Sequence, residues 1–385
     1  MPDSTPNSTD SLPPSATLSA PPEALAWRTN LWLFLATVVS VFYSYASNDE
    51  TPFFSRASML HGAQFAGSLL AILLAHEFGH YIAARLHKVD ASLPYFIPMP
   101  FLSMLGTMGA VIRMRGTIPT RKALLDIGAS GPLAGLVLAI PLYLWGAAHS
   151  HVRPVPVGMM ELGESLALKF FDHLAAPPTP PGTELFLSPV AFGAWGGMLV
   201  TMINLVPVGQ LDGGHVAYAL FGPRQDKLAI LVHRSLLAFF FVSVGGFVVR
   251  DLQAGLGFAR MEHHIGSSFF WLMWFEVLAI LGALSSADRD DEGGSLTPRT
   301  RIAAIMVLIG LFAIGHFDLP GVWIAWFLCL GVLLAMELKW GALRPHRLLD
   351  HPSTGAAPLD AGRKAIAILT LVIFALLFMP TPVSM

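Results

Sequence analysis

The part of this sequence best suited to chemistry is His76-Glu77-Phe78-Gly79-His80. On a helix, positions i and i+4 lie on one face, so His76 and His80 can present their imidazoles to a single ion. Glu77 sits one residue along, near enough to act as general base on a water held by that ion. A catalytic zinc also needs a third protein ligand and one open position. The candidate is Asp212, in the stretch Asn204-Leu205-Val206-Pro207-Val208-Gly209-Gln210-Leu211-Asp212-Gly213-Gly214-His215. There an apolar run ends, Pro207 breaks the helix, and two glycines permit close backbone approach. His215 is the rival third ligand. The structural alternative makes His76 and His80 hydrogen-bonded core histidines, pairs Glu77 with Arg85, and gives Asp212 to the cap of the next helix. The one cysteine, Cys329, lies in an apolar run, so any metal is held by His, Asp or Glu.

The elements that must position these groups are membrane spans. The 385 residues are 54% hydrophobic and 12% charged, about half the charged fraction of soluble domains. Mean hydropathy is +0.61, too apolar to cover a water-facing surface. A net charge of -2 shows no sign of a nucleic-acid partner. The sequence predicts an all-α polytopic membrane protein with about nine transmembrane helices: Trp27–Ala46, Gly62–Leu86, Ala123–Ala147, Ser188–Leu205, Leu228–Val249, Ser267–Leu284, Arg301–Phe317, Val322–Leu338 and Ala365–Met379. His76, Glu77 and His80 fall inside the second, and ionisable groups in such runs default to function.

Between spans, Leu93–Arg115 carries Pro94, Pro98, Pro100, Gly106 and Gly109 with no helical period, and Val111–Arg115 alternates as a strand does. The expectation is a short membrane-associated β segment of one or two strands after the second span. Met159–His173 reads as a surface helix. Arg85–Lys122 holds Arg85, Lys88, Arg113, Arg115, Arg121 and Lys122 against Asp90 alone, which places it and the N-terminus on the cytoplasmic side. From His76 to Arg85 is nine helical steps, so the metal would lie about 14 Å inside that boundary. The domain expectation is a disordered tail over 1–26, a first helix and loop over 27–61, a catalytic core over 62–222, and further transmembrane helices over 223–385. The tail is rich in Ser, Thr and Pro and has no Lys or Arg before Pro22, unlike a signal peptide or a plastid transit peptide; a bacterial inner membrane is the expected location.

The order His76-Glu77-x-x-His80, then Gly128-Ala129-Ser130-Gly131-Pro132-Leu133-Ala134-Gly135, then Asn204-x-x-Pro207-x-x-x-x-Asp212-Gly213 resembles the site-2 protease family of intramembrane zinc proteases. Pro98-Met99-Pro100 to Arg115, with Pro119-x-Arg121, is similar to its cyanobacterial and plastid branch, without the PDZ or nucleotide-sensing domains of other branches. The resemblance covers roughly Ala66–Gly214. It implies His76, His80 and Asp212 as ligands of Zn2+, Glu77 as catalytic base, and Asn204 as a catalytic residue that stabilises the oxyanion or orients substrate. The partner it implies is a transmembrane or membrane-tethered protein, cleaved within the lipid bilayer.

Two competing readings stand beside it. A polytopic transporter would use buried groups such as Glu276 and His316 along a pathway, but internal repeats are not found. An inactive scaffold of the same fold would have no use for Glu77. The Gly131 and Gly135 pair has two readings of its own, close helix packing in lipid or a direct catalytic role.

Overall fold

The structure is a computed structural model, and it describes residues 26–101, 103–115, 118–154, 161–255, 257, 265–278, 354–355 and 357–384. The protein is mostly helical, with a few short strands between the helices. Among the described residues, four helices are long and apolar enough to cross a membrane: Trp27–Ala46, Arg56–Leu86, Arg121–Ala148 and Asp212–Gln253.

The first is α1 (Ala26–Ala46). The second, α2 (Arg56–Leu86), runs 31 residues, or about 46 Å at 1.5 Å per residue. It starts six residues earlier than hydropathy suggests, because the Ser55 hydroxyl caps it by accepting from the Ser58 amide. The third, α3 (Arg121–Ala148), starts at a Thr120 cap and carries Pro132 and Pro141 without ending. The helix α5 (Pro189–Asn204) has only 16 residues, about 24 Å, so the expected span Ser188–Leu205 is short of a lipid core of about 30 Å. It sits against α2 and α3 through a core that includes Phe65, Leu69, Ile72, Tyr143, Trp195 and Met198.

After α5 a tight loop leads into α6 (Asp212–Phe221), then a 3-10 turn over Gly222–Arg224, then α7 (Gln225–Gln253). The helix α8 (Ile265–Leu278) replaces the expected span Ser267–Leu284 over its described part and packs on α7 through Phe240, Phe269 and Phe275. The expected spans Arg301–Phe317 and Val322–Leu338 lie outside the described residues. The last helix, α9 (Ala361–Leu377), covers most of the expected Ala365–Met379 and packs against α6 and α3. Its Arg363 grips Asp126 of α3, with Nη2 to Oδ2 at 2.8 Å, while His87 beyond the end of α2 meets the same carboxylate at 2.8 Å. One acid thus ties three helices together at the end near Arg121.

The expected β segment is present but divided. Strands β2 (Tyr95–Pro98) and β3 (Thr107–Val111) form an antiparallel hairpin in register Phe96 to Ala110, while β1 (Asp90–Ala91) pairs with β4 (Met114–Arg115). The predicted strand over Val111–Arg115 is broken at Ile112-Arg113, because Ser92 takes both backbone groups of Arg113: its amide donates to the Arg113 carbonyl and its hydroxyl accepts from the Arg113 amide. The surface helix expected over Met159–His173 is α4 (Leu166–Ala175), displaced toward the C-terminus by the Ser165 cap, with β6 (Glu161–Leu162) ahead of it. Strand β6 pairs with β8 (Val383–Ser384), and β5 (His151–Pro154) pairs with β7 (Thr183–Phe186).

Candidate metal centre

Helix α2 presents His76 and His80 one turn apart, and both side chains turn inward, 2% and 11% exposed, with Glu77 buried beside them. Asp212 arrives from the first residue of α6. His76 Nε2 lies 3.1 Å from Asp212 Oδ2, His80 Nε2 lies 3.1 Å from the same oxygen, and the two Nε2 atoms are 3.2 Å apart. Four-coordinate zinc with bonds of about 2.0–2.1 Å sets neighbouring donors about 3.3 Å apart, so this triangle has the edge a zinc site requires.

The protonation pattern points the same way. His80 Nδ1 lies 2.7 Å from the Ile127 carbonyl oxygen, which can only accept, so Nδ1 carries the proton and Nε2 offers a lone pair. His76 Nδ1 is buried without a partner among the described residues, and its Nε2 faces the group. Two imidazole nitrogens and a carboxylate oxygen directed at one point repel one another unless a cation is shared. The donor set therefore fits a resident metal. Among the described residues, the donor atoms that converge in this way are those of His76, His80 and Asp212. His215 lies one turn along α6, buried with its Cβ against Gly128. The geometry thus prefers Asp212 to the rival His215.

The structural alternatives place these residues differently. Arg85 stands 3.9 Å from Asp90 and over the Tyr81 ring, two turns from Glu77. The N-cap of α6 is Leu211, with no side-chain cap bond, so the Asp212 carboxylate is spent on the histidines and not on the helix end. Asn204, the last residue of α5, brings its Nδ2 to 3.4 Å from His76 Nε2. Of the two transporter candidates, Glu276 is buried on α8 and His316 lies outside the described residues.

The loop before Asp212 is built by backbone contact. A Cβ at Gly213 would collide with the Leu205 carbonyl, and one at Gly214 with the carbonyls of Val208 and Gly209. The chain can fold back on α6 this tightly only without side chains at both positions.

Two further contributors hold the His80 ring in place. The Ile127 carbonyl belongs to an apolar residue and carries no signal. Gly131 does carry one: its own Cβ would fall on the His80 imidazole, at Nε2, Cδ2 and Cε1 together. Gly128, Gly131 and Gly135 share a face at i, i+3 and i+7, and that face is the one turned to His215, His80 and His76. The helices approach closely at this pair, and the space the glycines leave goes to the imidazoles.

One comparison with known proteins spans these same residues. Residues 64–243 match the family model described as Peptidase family M50. The chain is 34% identical over 167 residues to a chloroplastic protein of Oryza sativa subsp. indica named probable zinc metalloprotease EGY2, covering 42% of this chain and 30% of that one. It is 34% identical over 165 residues to probable zinc metalloprotease EGY1 of Arabidopsis thaliana, covering 41% and 29%, and 29% identical over 180 residues to probable zinc metallopeptidase EGY3 of the same plant, covering 43% and 30%. The chain thus spans about a third of the length of these curated relatives. Their names place them in chloroplasts, so the expected bacterial inner membrane draws no support from them. No solved structure matches.

Proposed function

We propose, from the match of residues 64–243 to the model described as Peptidase family M50, that the protein is an intramembrane zinc metalloprotease that hydrolyses peptide bonds of transmembrane or membrane-tethered proteins. The observation that carries this reading is the triangle of donors that Asp212 of α6 completes with His76 and His80, which lie inside a helix long enough to cross a bilayer. In it, His76, His80 and Asp212 would hold the zinc. Bound there, zinc supplies Lewis acidity toward the scissile carbonyl and a water acidic enough to react near neutral pH.

The remaining roles belong to the chain. Glu77 accepts the proton of the attacking water and returns it to the nitrogen that leaves, so one water adds across one amide and nothing else is consumed. Asn204 Nδ2 donates toward the oxygen on which charge develops. The Ile127 carbonyl keeps the His80 proton on Nδ1. The domain plan with a catalytic core over 62–222 goes with this reading, as do nine spans in all and an orientation that puts the basic segment 85–122 on the cytoplasmic side.

A transmembrane helix hides its peptide bonds in its own hydrogen bonds, so the substrate must be held extended. Strand β3 is suited to this: a Cβ at Gly109 would lie 3.8 Å from Val200 Cγ1, one turn before Asn204. An extended segment pairing with β3 would pass beside the metal centre by strand addition. A proline at Met108, which is 44% exposed on β3, will lower cleavage at least about tenfold while zinc content is unchanged. Wild-type cleavage by that variant would remove β3 from substrate binding.

The test of the function itself is cleavage of single-span model substrates in liposomes, with zinc stripped by a chelator and then restored, and the metal counted at each stage. The reading expects about one zinc per chain, loss of cleavage on stripping, and recovery with zinc. A protein that binds no metal and cleaves nothing would end it and send the chain to transport assays.

A further inference from the structure

Asp212 must be delivered to the histidines by the loop 205–211, and what holds that loop lies beyond it in sequence. Within the loop, Val206, Val208 and Leu211 donate their amides to Ile203, Val206 and Val208. Pro207 has no amide to give, and its buried carbonyl would need a donor from elsewhere. That donor is Gln225, whose Nε2 donates to the Pro207 oxygen at 2.7 Å across 18 residues. Gln225 is 1% exposed, and its Oε1 is buried without a partner among the described residues. A buried amide with its oxygen unmatched persists where its donor is needed. The position is not explained by helix ending: the N-cap of α7 is Arg224, and the Gln225 side chain turns from the helix start to the loop.

We infer that Gln225 is a positioning residue for the metal centre, a strut from α7 that fixes the Asn204–Asp212 loop and so sets where the Asp212 carboxylate stands. The inference rests on the zinc protease reading. It makes the register of α7 a determinant of metal affinity, because α7 begins at the strut and runs 29 residues away from it. Outer partners that orient a metal ligand commonly change metal affinity by about 10–100-fold when removed.

The experiment compares full-length wild type with Gln225→Met, which keeps the length and loses the donor, and Gln225→Asn, which keeps the donor and withdraws it by one methylene. The control is His233→Leu. His233 is also buried on α7, about two turns past Gln225, and its Nε2 lies 2.9 Å from the Phe275 carbonyl oxygen, with no bond to the loop among the described residues. Zinc retention is measured by competition with a chromophoric chelator, and the thermal transition is measured on the metal-free proteins. Both Gln225 variants are expected to bind zinc about 10–100-fold more weakly, with kcat reduced and KM within about twofold of wild type. His233→Leu is expected to lower the transition of the metal-free protein at least as much, with zinc affinity unchanged. Wild-type zinc affinity in both Gln225 variants overturns the inference. An equal loss in His233→Leu also overturns it, since α7 would then act only through its stability. A wild type that binds no zinc would fail the protease reading first, and the strut with it.

Discussion

Glu77→Gln will retain about one zinc per chain and cleave a single-span substrate about 10²–10⁴-fold more slowly than wild type. The substitution keeps the volume and the hydrogen-bonding reach of the side chain but removes its capacity to take a proton. Glu77 is buried beside His76 and is not needed to complete the three-donor triangle, so metal content and cleavage should separate cleanly. Glu77→Asp, which withdraws the carboxylate by one methylene, should fall between the two. Zinc analysis and single-turnover cleavage in liposomes provide the check. A Glu77→Gln protein that cleaves at the wild-type rate would show that another group takes the proton, and the assignment of Glu77 would be lost.

Gly131→Ala will remove the metal without touching a ligand. The added methyl would occupy the place of the His80 imidazole, so the ring must rotate away from the Ile127 carbonyl or α3 must retreat from α2. Either motion takes one corner off the triangle. Displacements of about 1 Å at such centres commonly cost about 10²-fold in rate. Zinc content should drop below about a tenth of an ion per chain, with cleavage lowered at least about 100-fold. The comparison variant is Gly67→Ala on α2, where an added Cβ meets nothing within 4 Å. It should match wild type in both measurements, and it should gain slightly in helix stability. Full zinc content in Gly131→Ala would falsify the placement of His80 against α3.

Some of this was readable in residue order and some was not. His76 and His80 are four apart on a helix, and that spacing fixes a shared face before any contact is known. Asp212 was readable as an acid between a helix break and two glycines, but its meeting with His76 spans 136 residues and depends on how three helices pack. Hydropathy located α1 to α3 well because lipid demands apolar runs. It missed the first turns of α2, where Arg56, Ser58 and His61 extend the helix past the apolar stretch. The division of β3 from β4 escaped because alternation says nothing about Ser92, a residue in another segment that breaks the ladder. Gln225 gave no signal at all. A glutamine at the start of a long helix is ordinary, and its role exists only through a proline carbonyl 18 residues away.

The 136 residues between His76 and Asp212 also set an order in time. Ribosomes release this chain from its N-terminus, so both histidines are in the bilayer well before α6 is made. Until Asp212 emerges and the loop closes on Gly213 and Gly214, the nascent protein has two donors and no pocket. A chain that ends before Asp212 thus lacks the third donor of the candidate centre, whatever its first three helices have already formed.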